Sequence, residues 1–166
     1  MEKIILQIKK IETNKNIKIY YGDFNENLGL LYIDKNTFNN IKKQFKSFNN
    51  KIITEKKYYY QDMIECKNNH FKQEIYPFDL TNNNFRMFEY KFKKISDLKF
   101  PNIIKYDNVT NERIEVFFIN DLNINFIQDI DKKTFKINIS FEINNTNKHK
   151  IVNDIENIFN NILNAN

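Results

Sequence analysis

At 166 residues, with a formal net charge of +5 and a pI near 9.1, the chain is expected to form a single domain, residues 1–166. A chain of this length buries about 70% of its unfolded surface and needs no covalent staples. The lone Cys66 excludes an internal disulfide, and no apolar run is long enough for a signal peptide or a membrane span.

Asn, Ile, Lys, Phe and Tyr supply 106 of the 166 residues. All five have AT-rich codons, so abundant aromatics and lysines reflect base composition before they reflect binding. The lysines are spread as pairs, such as Lys42-Lys43 and Lys93-Lys94, which usually marks a solvated surface. The basic balance still favours a polyanionic partner over an acidic surface. A soluble cytoplasmic protein with no membrane association is expected.

Residues 3–11 alternate Ile4, Leu6 and Ile8 with Ile5, Gln7 and Lys9, which reads as a strand. Two short strands follow at 17–21 and 29–33, separated by a polar turn over Gly22 to Asn27. At Thr37 the period changes. Phe38, Ile41, Phe45 and Phe48 fall at helical spacing, which predicts a helix over 37–48 capped by Thr37 or Asn36.

Strand character returns at 52–60. Pro77 makes 72–80 an edge strand or a broken one. Residues 85–93 form a further strand with Arg86, Phe88, Tyr90 and Phe92 on one side, and a turn-rich stretch surrounds Pro101.

The clearest signal lies in 113–143. Ile114, Val116 and Phe118 alternate with Arg113 and Glu115. Leu122, Ile124 and Phe126 alternate with Asn123 and Asn125. Phe135 to Ile143 is apolar at every second position. Turns at Asn120-Asp121 and Asp131-Lys132 make this a three-stranded antiparallel meander. Its polar face is expected to collect Arg113, Glu115, Asn123, Asn125, Lys136, Asn138, Ser140 and Glu142. A C-terminal helix over 148–163 carries Ile151, Val152, Ile155, Ile158, Phe159, Ile162 and Leu163 in one stripe, with Thr146 or Asn147 as cap. The predicted fold is α+β, a large antiparallel sheet of about eight or nine strands curled or closed into a barrel, with one inserted and one C-terminal helix.

Several chemistries are disfavoured. There is no Gly-rich phosphate loop, and His70 and His149 lack partners at zinc-ligand spacing. Cys66 has no activating histidine nearby, and none of Ser47, Ser96 and Ser140 sits in a strand-to-helix elbow. What remains is charge on strand faces. The candidate binding residues are Arg86, Lys91, Arg113, Glu115 and Lys136, with Tyr59 and Tyr90 as aromatic contacts. Surface exposure is the ordinary fate of any one of these. The two arginines stand out, because lysine predominates in this chain and the guanidinium fork matches phosphate.

The order of these motifs resembles the metal-dependent RNA triphosphatases of fungal and viral capping systems, the triphosphate tunnel enzymes. Ile5-Gln7-Lys9 stands for their first strand and Phe38/Phe45 for their aromatic helix. Phe85-Arg86-Met87, Arg113-Ile114-Glu115, Asn123 to Ile127 and Phe135 to Ile143 follow in the family's order. The resemblance covers most of the chain through short motifs. It implies a metal-dependent polynucleotide 5′-triphosphatase using Mg²⁺ or Mn²⁺, with glutamates on the first and last strands holding the metal. Here those positions read Gln7, Lys9, Asn138 and Ser140, leaving Glu142 as the one acidic candidate ligand. One carboxylate among amides is a poor site for a hard cation, unless Glu112, Glu115 or Asp129 supplies further oxygens.

The resemblance therefore implies an RNA 5′-end or triphosphate-binding domain, active or catalytically decayed. A second reading is a single-stranded nucleic-acid-binding protein stacking bases on Tyr20, Tyr21, Tyr58, Tyr59, Tyr60 and Tyr90. A third is a non-enzymatic accessory subunit of a viral or plasmid complex, docked on a protein partner through the C-terminal helix.

Overall fold

The computed structural model describes residues 2–25, 30–60, 64–67, 70–82, 84–94 and 108–165. The elements run α1 (Glu2–Lys9), β1 (Lys15–Tyr21), β2 (Asp23–Asn25), β3 (Leu30–Tyr32), α2 (Lys35–Lys43), β4 (Asn50–Tyr60), β5 (Ile64–Lys67), β6 (His70–Asn82), β7 (Phe85–Lys94), β8 (Asn108–Ile119), β9 (Leu122–Asp129), β10 (Thr134–Ile143) and α3 (Lys148–Asn164). The fold is α+β and every described strand pairing is antiparallel.

Six strands form the sheet that positions the rest, in the order β7-β1-β10-β9-β8-β4. The expected meander is its centre, with Ile119 paired to Leu122 and Ile137 to Phe126. Asn120 turns the first corner at φ 52° and Lys133 the second at φ 55°; asparagine enters that left-handed region more readily than most residues. Beyond this sheet β5 pairs with the end of β4, and β6 pairs with both β5 and β7. Among the described residues β5 pairs with β6 only as far as Gln73, and Pro77 pairs with Phe88 of β7. The register shifts on both sides of it, one of the settings in which a strand accommodates a residue without an N–H. The stretch around Pro101 lies outside the described residues.

The first stretch is a helix, not the expected strand. Ile4, Ile5 and Ile8 are buried while Leu6 is 55% exposed, a helical and not an alternating pattern. Eight residues with an unbroken Ile-Ile-Leu run satisfy both periods, so periodicity alone could not separate them. α1 lies beside α3, and the Lys148 ammonium donates to the Lys9 carbonyl at its end.

α2 starts earlier and stops earlier than its aromatic spacing suggested. Its cap is Asp34, whose Oδ1 accepts from the Thr37 N–H at 2.9 Å while Oδ2 accepts from the Thr37 hydroxyl at 2.7 Å. Thr37 thus serves as donor to the cap. Phe45 and Phe48 belong to turns after the helix, closed by Phe45 N–H to the Lys42 carbonyl and Phe48 N–H to the Phe45 carbonyl. α3 follows an asparagine turn in which Asn144 Oδ1 accepts from Thr146 and Asn147 N–H groups.

The three helices share one apolar core with the sheet. It takes Ile17, Ile19 and Tyr21 from β1, Phe85 and Met87 from β7, and Phe117 and Ile119 from β8. Leu122, Ile124 and Phe126 of β9 and the odd-numbered residues of β10 complete it. Phe126 sits between Phe38 at 5.5 Å and Phe45 at 5.9 Å, and Phe85 packs on Phe159 at 4.3 Å. Close ring pairs of this kind add to area burial. The apolar stripe of α3 is consumed here, with Ile151, Val152, Ile155, Ile158, Phe159 and Ile162 all buried.

β8 corrects the expected polar face. Glu115 is paired with Phe126 and Arg113 with Gln128, which places both on the helix-covered side. Glu112, Ile114 and Val116 occupy the other side, where Ile114 and Val116 form a small cluster with Ile127 and Ile53. Val116 to Ile119 are all apolar, so the sequence holds no parity signal at that point.

Candidate functional site

The face opposite the helices is where charge collects. Antiparallel partners carry their side chains on the same side, about 5 Å apart, so the register spells out rows across the strands. One row runs Arg86, Tyr20, Asn138, Asn125. A second runs Phe88, Lys18, Ser140, Asn123. Further along, Lys136 stands beside Ile127 and Ile114, and the next row runs Thr134, Asp129, Glu112, Glu55. Lys18, Arg86 and Lys136 are therefore on one face of three adjacent strands, β1, β7 and β10.

Most of these groups are buried. Glu112, Asn138, Asp129, Lys18 and Lys136 are each less than a tenth exposed. A buried charge without a counter-charge or hydrogen bonds costs several kcal/mol, so each must be held by neighbours. Lys136 Nζ is 3.9 Å from Glu112 Oε2, and that oxygen also accepts from the Thr110 hydroxyl at 3.2 Å. Lys18 Nζ lies 5.2 Å above the Tyr90 ring, and the Arg86 guanidinium lies 5.4 Å from the Phe88 ring. Asn125 Nδ2 donates to both Asn138 Oδ1 at 2.8 Å and Ser140 Oγ at 3.0 Å, which ties β9 to β10 through side chains.

The carboxylates have unequal duties. Asp129 Oδ1 accepts from the N–H groups of Asp131 and Lys132 and so builds the β9–β10 turn. Glu112 faces Lys136. Both act on Tyr32, whose phenol is raised above its ordinary value, first by burial and then by the negative charges of Glu112 and Asp129. Tyr32 is accordingly a neutral hydroxyl at physiological pH. Its backbone lies against Gly22, where φ is +152° and an added Cβ would meet the Tyr32 carbonyl oxygen at 2.7 Å. Only glycine fits there.

Of the residues singled out from sequence, Arg86, Tyr90 and Lys136 lie on this face. Arg113 and Glu115 do not. Glu115 Oε1 is 3.5 Å from Lys42 Nζ and Oε2 accepts from Asn50 Nδ2 at 2.9 Å, so it fastens α2 to the sheet. The side chains of Tyr59 and Lys91 lie outside the described residues; their backbones pair with Asn108 and Gln73. Glu142 is exposed beside Asn16 at the far end of β10, well removed from Glu112 along the strands. Among the described residues no three His, Cys, Asp or Glu side chains group as a metal site.

Two tyrosines read as stacking platforms are interior. Tyr20 is 4% exposed and meets the Phe88 ring edge-on at 5.5 Å, and Tyr21 packs on Phe85 at 4.9 Å. Lys18 was missed, although its place between Ile17 and Ile19 already put it on the polar side of an alternating strand. Among the described residues no helix is long and apolar enough to cross a membrane. No family model matches the chain, and neither a characterised protein nor a solved structure does.

Proposed function

We propose that the chain binds the triphosphate at an RNA 5′ end on the charged face, in the manner of a capping triphosphatase domain. In this reading the run of pairings β1-β10-β9-β8-β4-β5-β6-β7 closes around the bound phosphates as an eight-stranded tunnel, and the protein works on cytoplasmic RNA. The carrying observation is the convergence of Lys18, Arg86 and Lys136 on one face, set among the amides of Asn125 and Asn138. Cations buried beside amides favour a polyanion that can take several charge-assisted hydrogen bonds at once. Glu112 tempers the positive field and orients Lys136 through their ion pair. Arg113, Glu115 and Glu142 have no part in it.

The test is a titration with inorganic triphosphate and a 5′-triphosphate oligoribonucleotide, with Mg²⁺ and Mn²⁺ turnover read in the same samples. Binding is expected to weaken steeply with salt, and Arg86→Ala or Lys18→Gln is expected to weaken it while the fold survives. Little or no turnover is expected. Robust turnover would mean that carboxylates on this face hold a metal. Absence of affinity for either ligand at low salt would overturn the reading.

A further inference from the structure

We propose that a second surface, the groove at the end of α2, holds the phosphodiester backbone of a single-stranded nucleic acid with one base stacked on Phe48. The groove is lined by Lys42, Lys43, Lys46, Asn50, Glu115 and Phe117, on the helix-covered side of the sheet and away from the charged face. Its volume is ≈ 230 Å³.

The charge balance is positive. Lys42 sits against Glu115 at 3.5 Å, and the second Glu115 oxygen is taken by Asn50. The acid at the groove is thereby satisfied from within the protein. Lys43 and Lys46 are exposed and three residues apart, on one side of the turn that ends the helix. Basic residues in a last helical turn also complement the helix dipole, which alone would account for Lys42 and Lys43. It does not account for Lys46, which lies beyond the helix, nor for the aromatic beside it. Phe48 is 36% exposed, yet its ring is held 6.2 Å from Phe45, itself wholly buried against Phe117. Phe48 follows Lys46 by two residues, its ring meets Phe45 on one side and is partly open to solvent, and among the described residues Lys43 and Lys46 have no acidic partner. A partly open ring beside basic residues is an arrangement that sequence-tolerant single-strand binders use.

An unstructured oligoribonucleotide with a 5′ hydroxyl tests this without engaging the triphosphate reading. The wild-type chain is expected to bind it with a steep salt dependence. Lys43→Ala/Lys46→Ala should weaken binding about tenfold at low salt and reduce the salt slope by about 1.4, since each lost single-strand phosphate contact is worth about 0.7. Phe48→Ala should weaken it at least about fivefold with an unchanged melting temperature. Unchanged affinity in the Lys43→Ala/Lys46→Ala/Phe48→Ala triple variant overturns the proposal, as does equal binding of polyglutamate or of a blunt duplex by the wild-type protein. Triphosphate binding that persists in the triple variant keeps the two sites separate. Loss of the 5′-hydroxyl oligonucleotide on changing Lys18 would place that strand on the charged face and also overturn the proposal.

Discussion

The two faces of the sheet are built by the same alternation and stabilised by different physics. Under the helices, Phe126, Ile124, Ile139 and Ile137 are closed off by side chains that need only shape and apolar surface. On the opposite face Lys18, Lys136, Glu112 and Asn138 are buried to a similar degree, and each needs a particular partner in a particular place. An apolar face tolerates an exchange that preserves volume. A buried charged face tolerates removal of a pair together better than removal of one member.

The largest expected effect lies on the helix side. Phe126→Ala removes a ring from between Phe38, Phe45 and Phe117 and should cost about 3–5 kcal/mol in urea unfolding. A loss below about 1 kcal/mol would mean that this face is not close-packed. Next comes the ion pair. Lys136→Met should cost about 3 kcal/mol because Glu112 is left buried with its counter-charge gone, and adding Glu112→Gln should recover most of that. Strict additivity of the two changes would show that they do not interact.

Asn125→Ala should cost about 1–2 kcal/mol, since it takes the donor from both Asn138 and Ser140; an unchanged unfolding midpoint would argue that water replaces the amide. Tyr32 gives a pH signature. Its folded pKa is raised above the unfolded value of 10.0, so its contribution is complete below pH 10 and is lost as pH rises through the folded value. Tyr32→Phe should flatten the decline in stability above pH 10, and an identical slope in both proteins would remove Tyr32 from the charged cluster. The smallest effect is at Asp34. Hydrogen bonding from Thr37 lowers its carboxyl below the ordinary value, so its stabilisation is present at neutral pH and lost as pH falls through that lowered value. Asp34→Ala should lower the melting temperature slightly at pH 7 and leave it unchanged in strong acid, where the cap is already protonated.

The meander was readable because strict alternation over ten residues fixes both structure and face, as β10 shows from Phe135 to Ile143. α3 was readable because seven apolar residues at helical spacing admit no other pattern. α1 was not, since a short apolar run satisfies both periods. The candidate site was only half visible. Lys136 lies in an alternating strand whose dry side is unambiguous, whereas Arg86 shares its side with Phe88, Tyr90 and Phe92 and is placed by the pairing of β7 with β1. Arg113 and Glu115 lie in β8, where apolar residues occupy both faces and only the pairing with β9 decides which way they point. Tyr20 could not be judged either, because burial of an aromatic depends on a neighbour, Phe88, almost seventy residues away.

β1 has consequences for the order of assembly. Its two neighbours are β7 and β10, so Ile17 must wait for Glu89 on one side and Phe141 on the other. During synthesis from the N-terminus, the strand that becomes the seam of the sheet is made early and paired late. Until then Ile17, Ile19 and Tyr21 have no sheet to enter. Such long-range closure is slow compared with hairpin formation, and a waiting apolar strand is a template for the wrong partner. Lys15, Asn16 and Lys18 interrupt that strand with charge and amide, and keep it soluble through the interval.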